Sequence, residues 1–164
     1  MPHTPARGGR QSRTVDKLNL GCGNNVMADA VNHDRVKHRA EIAVAWNLDE
    51  RPWPWADGSF DLVVAASVLE HLKLDLVEAL DECWRILRPG GQLYLKLPHW
   101  QSDVAWRDPT HRWRYTLQSC DVFDPETEYG REYGFYTVRK WHLVAPAVLN
   151  EAQSSIHVTL EVRK

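Results

Sequence analysis

Three cysteines in 164 residues, Cys22, Cys83 and Cys120, are too few and too far apart for a disulfide framework, and none of the paired spacings of a zinc site occurs. Reduced thiols are the expectation. Long apolar runs are also missing: none approaches the roughly 18 residues of a membrane-spanning helix, and the stretch from Met1 to Lys17 has no apolar signal-peptide core. The chain is therefore read as cytoplasmic. Net charge is nearly absent, at -2, which excludes a global attraction to nucleic acid. There is no internal repeat, and no Ser-His-Asp or Cys-His arrangement suggests a covalent nucleophile.

What is present is an ordinary globular composition, 43% hydrophobic and 26% charged, in a length that suits one domain with one core. Arg7, Arg10, Arg13 and Lys17 stand against a single Asp16. The expected organisation is a flexible basic tail over residues 1–16 and a single domain over residues 17–164.

Along the chain, Lys17 to Leu20 reads as a strand broken by Gly21-Cys22-Gly23-Asn24-Asn25, residues that tolerate left-handed backbone. Further strands are expected at Val31 to Asp34 and Glu41 to Trp46. The nearly continuous apolar run Phe60 to Ala66 has the character of a central strand covered on both faces. Leu76, Val77, Leu80, Cys83, Trp84 and Leu87 then fall at helical spacing, with Asp75 and Glu78 placed for a capping box. Pro89-Gly90-Gly91 is expected to stop that helix and turn the chain into a strand carrying Leu93, Leu95 and Leu97. Phe135 to Val144 and Ile156 to Val162 read as extended and able to pair as a closing hairpin. The expected fold is α/β, a Rossmann-like three-layer sandwich whose mostly parallel sheet ends in a C-terminal antiparallel hairpin.

The succession of the glycine loop, Asp34, Asn47, Phe60-Asp61, Leu69-Glu70-His71 and Leu87-Arg88-Pro89-Gly90-Gly91 resembles the class I S-adenosylmethionine-dependent methyltransferases of the "methyltransferase type 11" kind. Small predicted methyltransferases with a proline-aromatic loop are the nearest likeness, through Pro52-Trp53-Pro54-Trp55 and Asp108-Pro109-Thr110-His111. The likeness covers about residues 17 to 124. It implies S-adenosylmethionine as cofactor and S-adenosylhomocysteine as product. It would place the methionine part beside Asn19, Gly21, Cys22, Gly23 and Asn24, the ribose hydroxyls on Asp34, and the adenine edge at Asn47 and Leu48. Ala66 and Ser67 would lie near the sulfonium, with His71 beside them. Asn19 stands where relatives often carry an acid, and Asn25 replaces a third glycine. The interval from Gly23 to Asp34 is too short for a helix with two connections, so an abbreviated first crossover is expected.

Methyl transfer from a sulfonium is an in-line displacement, so the protein has to align the reactants, exclude water and accept a proton where the acceptor carries one. Ligands of open α/β sheets bind beyond the carboxyl ends of the strands, which directs attention to the loops after Ala66 and Leu97. Cationic and aromatic residues alternate in the second loop. Trp100, Trp106, Arg107, Arg112 and Tyr115 are candidate acceptor contacts, because rings stack on planar groups while guanidinium holds phosphate or carboxylate. The alternative is a lid whose tryptophans pack on the sheet and whose arginines pair with Asp103 and Asp108. His111 is the candidate general base, with Asp108 as its partner and His99 as the second choice; alternatively, His111 bonds a backbone group. No metal is expected, since His99, Asp108 and His111 match no familiar ligand spacing. The preferred function is methyl transfer to a small-molecule acceptor. The alternatives are a nucleic-acid methyltransferase using the basic tail, and a non-catalytic cofactor-binding or interaction protein of the same fold.

Overall fold

The structure is a computed structural model that describes residues 15–164. The basic tail expected from the sequence lies, over residues 1–14, outside the described residues. Asp16 is tied down: its backbone N–H donates to Asp61 Oδ2 at 2.9 Å, and its carboxylate meets Arg88 at 2.9 Å.

Five parallel strands come first: β1 (Lys17–Leu20), β2 (Val31–Asp34), β3 (Ile42–Ala45), β4 (Phe60–Ala66) and β5 (Leu87–Pro98). The chain continues through helix α1 (Leu76–Ile86), which lies between β4 and β5, then the short helices α2 (Val104–Arg107) and α3 (Glu128–Tyr133), and closes with β6 (Lys140–Leu143), β7 (Val148–Leu149) and β8 (Ser155–Arg163). The sheet order is β3-β2-β1-β4-β5-β8-β6, with β7 also paired to β8. All pairs among β1 to β5 are parallel, and β8 runs antiparallel to β5, β6 and β7. The order therefore reverses between β1 and β4, and a crevice opens beyond their carboxyl ends.

The apolar patterns account for the pairing. In β8, Ile156, Val158, Leu160 and Val162 are buried, while His157, Thr159, Glu161 and Arg163 are only partly covered. Burying each of these aliphatic side chains stabilises by roughly 1.5–3 kcal/mol, so a slip of one residue would forfeit several such terms at once. In α1, Ala79, Leu80, Cys83 and Ile86 face the core, and Asp75 and Glu78 form the reciprocal capping box read from the sequence. The three cysteines are free and buried. No described helix is long and apolar enough to cross a membrane.

Two expectations are corrected. The helix ends at Ile86, and Pro89-Gly90-Gly91 does not separate it from a later strand: Leu87 already pairs with Phe60, the next pair is Leu62 with Gln92, and the intervening residues bulge with Gly90 at φ +72°. Phe135 to Val144 is extended only over Lys140–Leu143. Gly134–Tyr136 forms a 3-10 turn, because Lys140 Nζ draws in the carbonyls of Gly134 and Thr137 while Phe135 and Tyr136 pack on Tyr133.

The proline-tryptophan loop is fastened by α1. Glu82, 6% exposed, accepts from Trp53 N at 2.7 Å and Arg85 Nη2 at 2.8 Å, and Arg85 also donates to the carbonyls of Trp55 and Trp53 at 2.7 and 3.1 Å. Burial alone would raise the Glu82 carboxyl, but the Arg85 and Trp53 bonds hold it below its ordinary value. Arg85→Met is expected to cost about 3 kcal/mol, since it strands a buried carboxylate and frees two carbonyls. A urea midpoint equal to that of the parent would contradict this account.

Candidate functional site

The crevice at the β1/β4 switch holds a pocket of about 300 Å³ lined by residues that include Gly21, His33, Asp34, Asn47, Leu48, Ser67, Val68 and His71. Gly21 and Gly23 have φ of +61° and +52°, which bends the chain sharply after β1. Buried His33 braces this bend. Its Nδ1 accepts from Gly21 N at 3.2 Å and its Nε2 lies 3.0 Å from the carbonyl of Trp46, an arrangement that fixes a neutral ring; burial also lowers its pKa.

Asp34 sits at the end of β2 with each carboxylate oxygen oriented by a backbone N–H: Oδ2 accepts from Gly23 at 2.7 Å and Oδ1 from Arg35 at 2.7 Å. A carboxylate has about four acceptor positions, so two are left for a diol in the pocket. Asn47 donates to Glu50 Oε1 at 3.2 Å and accepts from Asp49 N at 3.3 Å, leaving one N–H and one lone pair. Leu48 is buried beside it. Ser67, at φ +59°, is a non-glycine residue in the left-handed region directly at the pocket.

Other residues named from the sequence lie elsewhere. Asn19 is buried, and its amide donates to Asn25 O at 2.8 Å and Asn32 Oδ1 at 2.9 Å, so it staples the glycine loop to β2 and does not line the pocket. Cys22 is buried with its thiol pKa raised, mainly by desolvation. Asn24 is exposed and accepts weakly from Arg39 at 3.4 Å, and Ala66 is exposed outside the pocket lining. Between Gly23 and β2 there is no helix, in keeping with an abbreviated crossover.

A second cavity, about 950 Å³, adjoins the first and shares Arg35, Asn47, Asp49 and His71 with it. Arg35, Lys73, Arg112 and Arg114 face one carboxylate there, Asp49. His111 and Trp113 complete much of the wall. Of the candidate acceptor contacts, Arg112 lines this cavity, and Trp100, Trp106 and Arg107 lie outside its lining. Arg107 lies 3.7 Å from Asp103, the Arg114 guanidinium stands 4.2 Å over the exposed Trp106 ring, and the Trp100 carbonyl accepts from the Trp106 indole at 2.8 Å. Tyr115 is buried, and desolvation raises its hydroxyl pKa.

His111 Nε2 lies 3.9 Å from Asp108 Oδ2 and 4.0 Å from Glu70 Oε1, while Nδ1 faces the Ala105 carbonyl at 3.4 Å. His99 is buried away from this cavity: it bridges to Tyr115, and its backbone N–H donates to Ser154 O at 3.0 Å. Glu70, only 1% exposed, lies in a 3-10 turn, Leu69–His71, under the returning loop: its carbonyl accepts from Arg112 N at 2.7 Å, and Trp113 Nε1 donates to Leu72 O at 2.9 Å. Desolvation pushes its carboxyl up to about 7. Nothing local in the sequence signals that burial, because the cover comes from 40 residues downstream in the chain, roughly the separation of Glu70 and Arg112.

Residues 23–95 match the family model described as a methyltransferase domain. The chain is similar to a protein of Mycolicibacterium smegmatis described as a probable S-adenosylmethionine-dependent methyltransferase, with 34% identity over 51% of this chain and 38% of that protein. The chain thus matches well under half the length of that relative. The fold of the domain is similar to that of the YcgJ protein from Bacillus subtilis, with a TM-score of 0.60 at 14% identity and 94% of both chains covered. A 1,6-didemethyltoxoflavin-N1-methyltransferase from Burkholderia thailandensis, solved with its substrate and S-adenosylhomocysteine, superposes with a TM-score of 0.57 at 16% identity, covering 93% of this chain and 72% of that one.

Proposed function

We propose that this protein transfers a methyl group from S-adenosylmethionine to a small acceptor bearing phosphate or carboxylate. The observation that carries this reading is the shared wall of the two cavities: a nucleoside-sized pocket at the strand switch opens, past Asn47 and His71, into a larger chamber ringed by cations. The methyltransferase domain match and the named relative support the cofactor.

In this reading the ribose diol bonds the oriented Asp34 carboxylate, the adenine edge meets Asn47 against Leu48, and the methionine part passes Gly21 toward Ser67. Arg35, Lys73, Arg112 and Arg114 would hold the anionic end of the acceptor, so that its reacting atom is presented at His71 and His111. Alignment of this kind supplies most of the acceleration in a displacement that needs no covalent enzyme intermediate. A neutral His111 Nε2, oriented by the Ala105 carbonyl, can take the acceptor's proton as the methyl arrives.

Calorimetric titration with S-adenosylhomocysteine, followed by turnover on paired acceptors with and without an anionic group, tests this reading. Micromolar binding, weakened at least about tenfold by Asp34→Ala through loss of charge-assisted hydrogen bonds, is the expected result. Methyl transfer should be confined to anionic acceptors. If neither S-adenosylmethionine nor its product binds, the chain is not a methyltransferase by itself, and a non-catalytic interaction role becomes the better account.

A further inference from the structure

We infer that Glu70, His71 and His111 form a binding site for a divalent transition-metal ion of the zinc class at the edge of the acceptor chamber. One ligand atom from each of the three residues lies within 4.8 Å of the other two. The hydrogen bonds around them determine which atoms are available.

His71 Nδ1 lies 2.8 Å from Thr110 Oγ1, whose own hydrogen goes to Asp108 Oδ1 at 2.7 Å. The threonine oxygen must therefore accept from His71, so Nδ1 carries the proton and Nε2 presents a lone pair. His111 follows the same logic more loosely. Its Nδ1 faces the carbonyl of Ala105, which only accepts, so its Nε2 lone pair is turned toward Glu70. The rings meet edge to face, with centroids 4.7 Å apart.

Glu70 supplies the independent observation. Its side chain is 1% exposed, and Oε2 has no hydrogen-bond partner among the described residues. The 4.0 Å gap to His111 is too long for a hydrogen bond, so a proton shared between the two does not explain the arrangement. A buried carboxylate with an unpartnered oxygen beside two imidazole rings is an unfavourable arrangement that a cation would make favourable. Two histidines and one carboxylate suit zinc and its first-row neighbours, whereas magnesium and calcium prefer oxygen ligands alone. Tetrahedral zinc, with bonds of about 2.0–2.1 Å, places ligand atoms about 3.4 Å apart, so side-chain rotation closing the present spacing, at most 4.8 Å, by up to about 1.4 Å would be enough. The chain from His71 through Thr110 to Asp108 is the kind of outer hydrogen bonding that orients a metal-bound imidazole.

A second cluster, Asp124, Glu126 and His142, has ligand atoms equally close, but its charges are already answered. Asp124 accepts from the backbone of Glu126 at 2.9 Å and of Leu143 at 2.7 Å, and Arg163 meets Glu126 at 2.6 Å. It serves as the internal control.

His71 and His111 line the chamber, so an ion held between them would be open to an acceptor there. On the methyltransferase reading, an acceptor hydroxyl bound there loses its proton to water; its oxygen then forms the new O–CH3 bond as the S–CH3 bond breaks and its electron pair returns to sulfur. With the ion in place, His111 is a ligand, and the ion takes over the lowering of the acceptor's pKa.

The test is titration of the chelator-treated full chain with cobalt(II), followed by visible absorption and without any S-adenosyl ligand, so that its outcome is separate from that of cofactor binding. Intense low-symmetry cobalt bands saturating at one equivalent are expected. Affinity should fall at least about tenfold in Glu70→Gln and His111→Ala, and should be unchanged in His142→Ala. Thermal melting verifies that each variant is folded. Thr110→Ala, which removes only the outer bond, replaces any variant that fails to fold and should weaken cobalt about tenfold. Absence of the bands, or bands of equal affinity in these variants, overturns the site.

Discussion

Gly21→Ala is expected to weaken S-adenosylhomocysteine binding by more than about 100-fold. Gly21 has φ +61°, where a side chain costs roughly 1–3 kcal/mol, and the new Cβ would lie 2.6 Å and 2.9 Å from the two methyls of Val68. Because Val68 is branched at Cβ, rotating one methyl away drives the other in. Relief has to come from moving the backbone of Val68 or of the glycine loop, and both line the nucleoside pocket. Strain and overpacking together reach about 3 kcal/mol, or two decades in affinity. Gly23→Ala separates the two effects. Its φ of +52° carries the strain, but no atom lies within 4 Å of the new Cβ, so only about a tenfold loss is expected. Calorimetry showing parental affinity in Gly21→Ala would mean that the loop does not hold the cofactor.

The largest stability effect is expected far from the site, at Gly130. This glycine lies in α3, where a Cβ would fall 1.9 Å from the Asp124 carbonyl oxygen and 2.9 Å from that of Asp121. Neither atom belongs to a flexible side chain. The contact is held by Thr127, whose hydroxyl accepts from Gly130 N at 2.8 Å and lies 2.7 Å from the Asp121 carbonyl oxygen. Gly130→Ala therefore has to lift the helix from the 121–124 turn and break that cap, for about 4 kcal/mol. For a chain of this length the melting temperature should drop by about 10 °C. A scan within about 2 °C of the parent would show that α3 can move away at little cost, and that the close approach is not needed for folding.

Much of the fold could be read before any coordinates, wherever the signal was local. The capping box at Asp75 and Glu78 needs only residues three apart. The alternation in β8 follows from one buried face. The run Phe60 to Ala66, apolar except at Asp61, is β4, with Phe60, Val63 and Ala65 buried. The failures have a common cause. Phe135 and Tyr136 have strand propensity, but Lys140 binding the Gly134 and Thr137 carbonyls won locally. Leu87 looked like the end of a helix, yet pairing with Phe60 drew it into β5.

At the candidate site the division is the same. Asp34, Asn47, Leu48, Gly21, Ser67 and His71, all singled out in the sequence, line one pocket, and Arg112 and His111 reach the adjoining chamber. Trp100 and Trp106, marked for their chemistry, are exposed outside both cavities with Arg114 over the Trp106 ring, and Tyr115 is buried. By itself the sequence determined the strand and helix periods, the tight glycine turn and the acid at the end of β2, because each depends on backbone preferences within a few residues. Only the tertiary structure decided that the loop after β5 folds back over Leu69–His71. That fold-back buries Glu70 and turns His111 toward it, and it rests on hydrogen bonds and packing between segments whose separation no local pattern records.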